Sequence, residues 1–142
     1  MRRRMAPLAL LAMMAFTLPF AVACEKKTAT APQHAAWSSI PSDKASALID
    51  NGGVDLLLDV RTPEEFATGA LPNAMSIPVD ALGANLEKLA PYKDKTTLVY
   101  CRSGRRSAAA SQLLAEAGFT HVLNLDGGIL AWEGAGLAVE KR

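Results

Sequence analysis

Apolar positions along this chain change their spacing repeatedly, and the order of the changes predicts alternating strands and helices. Val54 to Val60 (Val-Asp-Leu-Leu-Leu-Asp-Val) is nearly continuous in apolar residues, as expected of a strand buried on both faces of a parallel sheet. Thr97 to Tyr100 is β-branched and aromatic and reads the same way, ending at Cys101. Beyond it the spacing becomes helical, with Ala110, Leu113, Leu114 and Ala117 on one stripe and Gly118 as the closing C′ residue. Upstream, Ser42 is the expected N-cap of a helix through Asp50, presenting Ala45, Leu48 and Ile49 and closed by Asn51-Gly52-Gly53. Thr62 caps a second helix, with Pro63 first and Glu64 and Glu65 in the opening turn, where the helix dipole accounts for both carboxylates. Gly69 to Asn73 reads as a turn and Met75 to Ile77 as a short strand. Leu82, Leu86 and Leu89 mark another helix, stopped by Pro91. Val122 to Leu125 is a short strand, Asp126-Gly127-Gly128 a turn, and Ile129 to Glu133 a helical turn with Trp132 in the core. The expected fold is α/β: a small central, mostly parallel sheet with helices on both faces. In such sheets ligands sit at the C-terminal strand ends, where Asp59-Val60-Arg61 and Cys101 fall.

The N-terminal pattern is different in kind. Arg2, Arg3 and Arg4 precede an apolar stretch from Pro7 to Ala21, so residues 1–23 read as a signal peptide. Ala21-Val22-Ala23-Cys24 fits an ordinary signal-peptidase site. It also resembles a bacterial lipobox with Ala in place of the usual Leu, in which case Cys24 is lipidated; an uncleaved anchor is the third reading. All three put the domain outside the cytoplasmic membrane, in the cell envelope on the periplasmic side, and the lipidated form adds a membrane contact through the N-terminal lipid. Residues 24–36 are Ala-, Thr- and Lys-rich without periodicity, a flexible tether in which His34 is solvated. The folded domain is expected over 37–142.

Charge then narrows the partners. The whole chain has 15 Lys and Arg against 14 Asp and Glu, but three of those arginines lie in the leader, so the remainder is slightly acidic. A broad basic face is absent from such a composition, and no nucleic-acid partner is expected. There are two cysteines. If Cys24 carries lipid, Cys101 is a lone thiol in an oxidising compartment, either inert or kept free for chemistry.

The candidate chemistry lies in Cys101-Arg102-Ser103-Gly104-Arg105-Arg106-Ser107. A strand, a tight loop and a helix N-terminus aim backbone N–H groups at whatever sits beside the cysteine. Arg102, Arg105 and Arg106 are unfavourable so near a helix N-terminus unless an anion completes the site: a thiolate, a persulfide or an oxyanion. The reading is therefore a Cys101 thiolate held by loop amides, helix dipole and arginines, with Gly104 letting the loop curl. Ser107 is read as the helix N-cap in preference to a proton donor. Asp59 and Arg61 are read as a structural ion pair beside the site, with substrate contact as the sharper alternative. His121 is a surface residue, and no P-loop, GxGxxG, CxxC or zinc spacing occurs.

Four stretches together resemble the rhodanese family of sulfurtransferases in its single-domain form: Leu58 to Phe66 (LDVRTPEEF), Gly69 to Pro78 (GALPNAMSIP), Cys101 to Ser107, and Leu125 to Trp132 (LDGGILAW). Ala70 replaces a frequent His of the second stretch, and Asn73 replaces a frequent Gly. The resemblance implies sulfane-sulfur transfer through a Cys101 persulfide, from a small anionic donor such as thiosulfate to a thiol, to cyanide or to a redox partner protein. It implies neither cofactor nor metal. Two rivals remain. A Cys-x5-Arg phosphatase needs arginine where this chain has Ser107. A non-catalytic anion- or partner-binding module would not need the cysteine.

Overall fold

A computed structural model describes residues 37–142; the expectations for the leader, the tether, Cys24 and His34 lie outside them. Strand β2 (Leu56–Asp59) is buried at every position, as its apolar run requires, and it pairs in parallel with β3 (Met75–Ser76) and β4 (Thr96–Tyr100). Strand β5 (His121–Leu125) continues the sheet beyond β4, and β1 (Trp37–Ile40) forms the far edge. The order is β1-β5-β4-β2-β3, parallel throughout.

Side chains alternate between two cores. Leu56, Leu58, Val99 and Cys101 face the side covered by α3 (Val79–Leu82), α4 (Leu86–Leu89) and α5 (Arg105–Glu116). Leu57, Leu98 and Tyr100 face the other side, covered by α1 (Ser42–Asp50) and α6 (Gly128–Gly134), which contribute Ala45, Ile129 and Trp132. The period of two along β4 therefore sends the Tyr100 and Cys101 side chains in opposite directions and delivers the sulfur to the α5 side. Trp132 is buried, as expected, and its indole N–H donates to Ala138 O at 2.9 Å.

Helix α2 (Pro63–Thr68) starts as anticipated. Thr62 Oγ1 accepts from Glu65 N at 3.3 Å, and Glu65 Oε2 accepts from Thr62 N at 3.1 Å, a capping box. Gly118 follows the C-cap of α5, and Phe119 N returns to Leu114 O at 3.1 Å. Three expectations need correction, and one strand lies where the apolar pattern predicts none. Ser42 lies inside α1, whose N-cap is Pro41. The Leu82–Leu89 helix is instead two one-turn pieces separated by a 3₁₀ turn at Gly83–Asn85, because Gly and Asn support an α-helix poorly there. Trp37–Ile40, which has no apolar run, is a strand because β5 supplies its hydrogen-bonding edge. Helix α5 begins at Arg105, two residues before the expected Ser107 cap.

Candidate functional site

Gly104, at φ 93, is the N-cap of α5 and turns the chain sharply enough for the helix to start at the next residue. The loop between Cys101 and the helix is thus only Arg102, Ser103 and Gly104, and Arg105 and Arg106 occupy the first helical turn. Ser107 is thereby rotated onto the buried face of α5, in one stripe with Ala110, Ser111, Leu114 and Ala115. It is not a cap. Its hydroxyl lies 3.4 Å from Cys101 Sγ and 3.1 Å from Gly104 O, and its one proton serves either acceptor.

Cys101 is fully buried, and Gly104 N donates to its sulfur at 3.1 Å. Burial pushes the thiol up. The Ser107 hydroxyl and the backbone N–H groups of Ser107, Ser103 and Gly104 outweigh that, and the thiol lies below its ordinary value. The groups that lower the thiol most are thus the loop amides, among those named from the sequence, joined by the Ser107 hydroxyl, while Arg106 interacts with the sulfur through its charge.

Those arginines divide by position. Arg106 forms a bidentate pair with Glu65, Nη1 to Oε2 at 2.7 Å and Nη2 to Oε1 at 2.8 Å. The guanidinium holds the Glu65 carboxyl down at about 2. Glu65 thus does more than complement its own helix dipole: it neutralises a cation at the N-terminus of α5, where that cation is otherwise unfavourable. Arg102 lines a cavity of about 440 Å³ with Arg61, Glu64, Glu65, Ile129 and Leu130. Arg105 and Ser103 are exposed.

Asp59 and Arg61 make the expected ion pair at 2.6 Å, and Arg61 also donates to Gly69 O at 2.7 Å. Arg61 Nε contacts both Asp59 oxygens at 3.0 Å, so most of the guanidinium is committed to the protein. Burial alone would lower Arg61; its bonds to Asp59 reverse that and raise it. The guanidinium lies 5.6 Å from the Tyr100 ring, and Tyr100 Oη accepts from Leu71 N at 3.1 Å. Burial and then Asp59 hold the Tyr100 phenol well above its usual value. This cluster locks the ends of β2 and β4 together immediately before the cysteine.

His121 is exposed, on the rim of a second cavity of about 340 Å³ at the opposite end of the strands. Among the described residues, no three His, Cys, Asp or Glu side chains gather around one point. Sequence reasoning missed the contact of Ser107 with sulfur, the reach of Glu65 to Arg106, and the packing of the Gly127-Gly128 turn against the cysteine loop. Only the last left a signal, a glycine pair directly after a strand.

Comparison with known proteins agrees with this geometry. The family model described as the Rhodanese-like domain matches residues 42–135. A curated protein called sulfurtransferase from Allochromatium vinosum is 37% identical over 102 residues, covering 72% of this chain and 94% of its own. The structure of a rhodanese-related protein from Thermoplasma volcanium superposes with a TM-score of 0.66 at 32% identity, covering 74% of this chain and 99% of that one. A Rhodopseudomonas palustris protein of unknown function, described as a possible tyrosine phosphatase, superposes with a TM-score of 0.65 at 30% identity, covering 72% and 84%. Some other curated relatives are longer, and the match spans 47% of one from Synechocystis and 26% of one from Mycobacterium tuberculosis.

Proposed function

This chain belongs to the rhodanese-like domain family, and from that premise we propose that it transfers sulfane sulfur through a persulfide on Cys101. The observation that carries the reading is the convergence of Gly104 N–H and the Ser107 hydroxyl on one buried sulfur, with no histidine beside it among the described residues, where His121 lies at the other end of the strands. A nucleophile without a base needs its anion stabilised in advance, and neutral donors in a dry site do this strongly.

In the proposed sequence the Cys101 thiolate attacks the outer sulfur of thiosulfate or a similar donor. The donor S–S bond breaks and sulfite leaves with the bonding pair. A thiolate or cyanide then attacks the terminal sulfur of the persulfide, takes it, and returns Cys101 as thiolate. Arg102, next to Cys101 in the loop and on the wall of that cavity, is the arginine proposed to meet the anionic end of the donor, since Arg106 and Arg61 are already paired and Arg105 does not line the cavity. The test is intact-mass analysis after incubation with thiosulfate. The protein should gain one sulfur atom, lose it to cyanide as thiocyanate, and gain none as Cys101→Ser. Failure to acquire sulfur would leave the domain as an anion- or partner-binding module.

The phosphatase reading is favoured by the description of one structural neighbour. Against it stands Ser107, where a Cys-x5-Arg cradle has its arginine; here that position faces the sulfur as a hydroxyl. Turnover of p-nitrophenyl phosphate, lost in Cys101→Ser, would reverse this choice.

We further propose that the mature chain is anchored in the cell envelope through acylated Cys24. The leader and the polar tether support this. The mass of the membrane-extracted protein checks it, and Cys24→Ser should release an active soluble domain.

A further inference from the structure

The sequence Leu125-Asp126-Gly127-Gly128-Ile129 leads from β5 into α6, which packs against the cysteine loop. Gly127 and Gly128 have φ values of 68 and 59, two successive left-handed residues. After them Ile129 N donates to Cys101 O at 2.8 Å and Leu130 N to Arg102 O at 3.2 Å. The approach is so close that a Cβ on Gly128 would stand 2.4 Å from Cys101 O, 2.5 Å from Arg102 O and 2.6 Å from Arg102 C. All three are backbone atoms, so no side-chain rotation relieves the overlap.

A trans peptide is planar, and its C=O and N–H point in opposite directions. Holding the Arg102 carbonyl toward α6 therefore turns the Ser103 N–H the other way. Ser103 N–H is among the groups that stabilise the Cys101 thiolate, and Gly104 N–H, the next amide, lies 3.1 Å from the sulfur. Gly104 is itself confined by the turn: a Cβ there would lie 3.2 Å from Gly127 N.

We propose that the Gly127-Gly128 turn is a positioning device for the nucleophile: Gly128 admits α6 to the Arg102 carbonyl, whose orientation turns the Ser103 amide away from α6, and Gly127 confines Gly104, whose N–H bonds Cys101 Sγ. The device serves the sulfurtransfer proposed above, yet it is read out on the thiol itself and so can be tested apart from it.

The experiment is Gly128→Ala in the full chain, with Gly136→Ala as control. Gly136 has φ 74 with nothing near its missing Cβ, so it carries the same backbone strain without the clash. The pH dependence of Cys101 alkylation is followed by peptide mass spectrometry, and folding by circular dichroism. Gly128→Ala should stay folded while its alkylation midpoint rises toward the free-cysteine value near ~8.5. Its alkylation rate at neutral pH, and the rate of persulfide formation, should fall as the midpoint passes the assay pH, by at most about tenfold for each further unit of rise. Gly136→Ala should change neither.

If Gly128→Ala does not fold, Leu130→Pro replaces it. Leu130 is half-exposed in the first turn of α6, where a proline removes the N–H bound to Arg102 O but no intrahelical bond. A smaller rise in the same direction is expected. An unchanged midpoint in a folded variant overturns the proposal. Loss of folding in both variants overturns it equally, assigning the turn to the fold rather than to the thiol. A raised midpoint in a protein that never acquires sulfur would uphold the positioning role and sink the sulfurtransfer reading instead.

Discussion

Replacing Ser107 with alanine isolates one donor from the cradle around Cys101. The hydroxyl lies 3.4 Å from the sulfur in a fully buried setting, so water does not substitute for it. Hydrogen bonds to charged groups contribute about 1.5–3 kcal/mol, and the long contact argues for the lower end. About 1.5 kcal/mol lost from the thiolate alone corresponds to a rise of about one unit in the thiol pKa. The rise should stop there, because Gly104 N remains 3.1 Å from the sulfur. Folding should hardly suffer. Gly104 O, the other acceptor of this hydroxyl, keeps Ala108 N at 3.0 Å, so no buried acceptor is orphaned, and the loss should stay under about 1 kcal/mol. The assay is the rate of Cys101 alkylation against pH, with the thermal midpoint recorded on the same sample. Arg105→Gln, at an exposed residue, should leave the curve where it is. A Ser107→Ala curve that superposes on the parent, or an Arg105→Gln curve that shifts by a unit, would refute the view that neutral donors set this thiol.

Glu65→Gln should weaken the bond between α2 and α5 and remove an acid-sensitive part of the stability. Glu65 is depressed to about 2 from 4.5, so its contribution is fully present above about pH 4.5 and is lost as pH falls toward 2. Because the pair is about a third exposed, that contribution should be about 1 kcal/mol or less. Urea melts of the two proteins across this window should converge at its acid end; equal separation at every pH would contradict the assignment. Asp59→Asn leaves the Arg61 guanidinium buried without its counter-charge and should cost about 3–5 kcal/mol in urea denaturation. A loss under about 1 kcal/mol would mean that the Gly69 carbonyl and the Tyr100 ring suffice for that charge.

Much of the scaffold was legible in local pattern. Leu56, Leu57 and Leu58 announced a strand buried on both faces, since only a parallel sheet covered on both sides hides consecutive apolar residues. Thr62, Pro63 and Glu65 announced the start of α2, because capping is decided within four residues. Asn73 stands where the second stretch often has Gly, and its φ of 59 is the left-handed backbone that Gly and Asn tolerate. Cys101 at the end of a buried strand, followed by a glycine loop and a helix, pointed to an anion held by amides.

The partners of that anion belong to tertiary structure. Whether Ser107 caps α5 or faces the sulfur depends on Gly104 being the cap, and that three-residue shift turns the helix by about 300°. Glu65 and Arg106 are 41 positions apart, and nothing in the periodicity of either helix shows that they meet. Gly128 reaches Cys101 and Arg102 only because β5 lies beside β4 in the sheet. Strand β1 is a strand only because β5 offers it an edge. Periodicity reports which face of an element is buried, a local property of the chain. Which residues face one another across that burial is set by strand order and helix phase, which exist only once the sheet has formed.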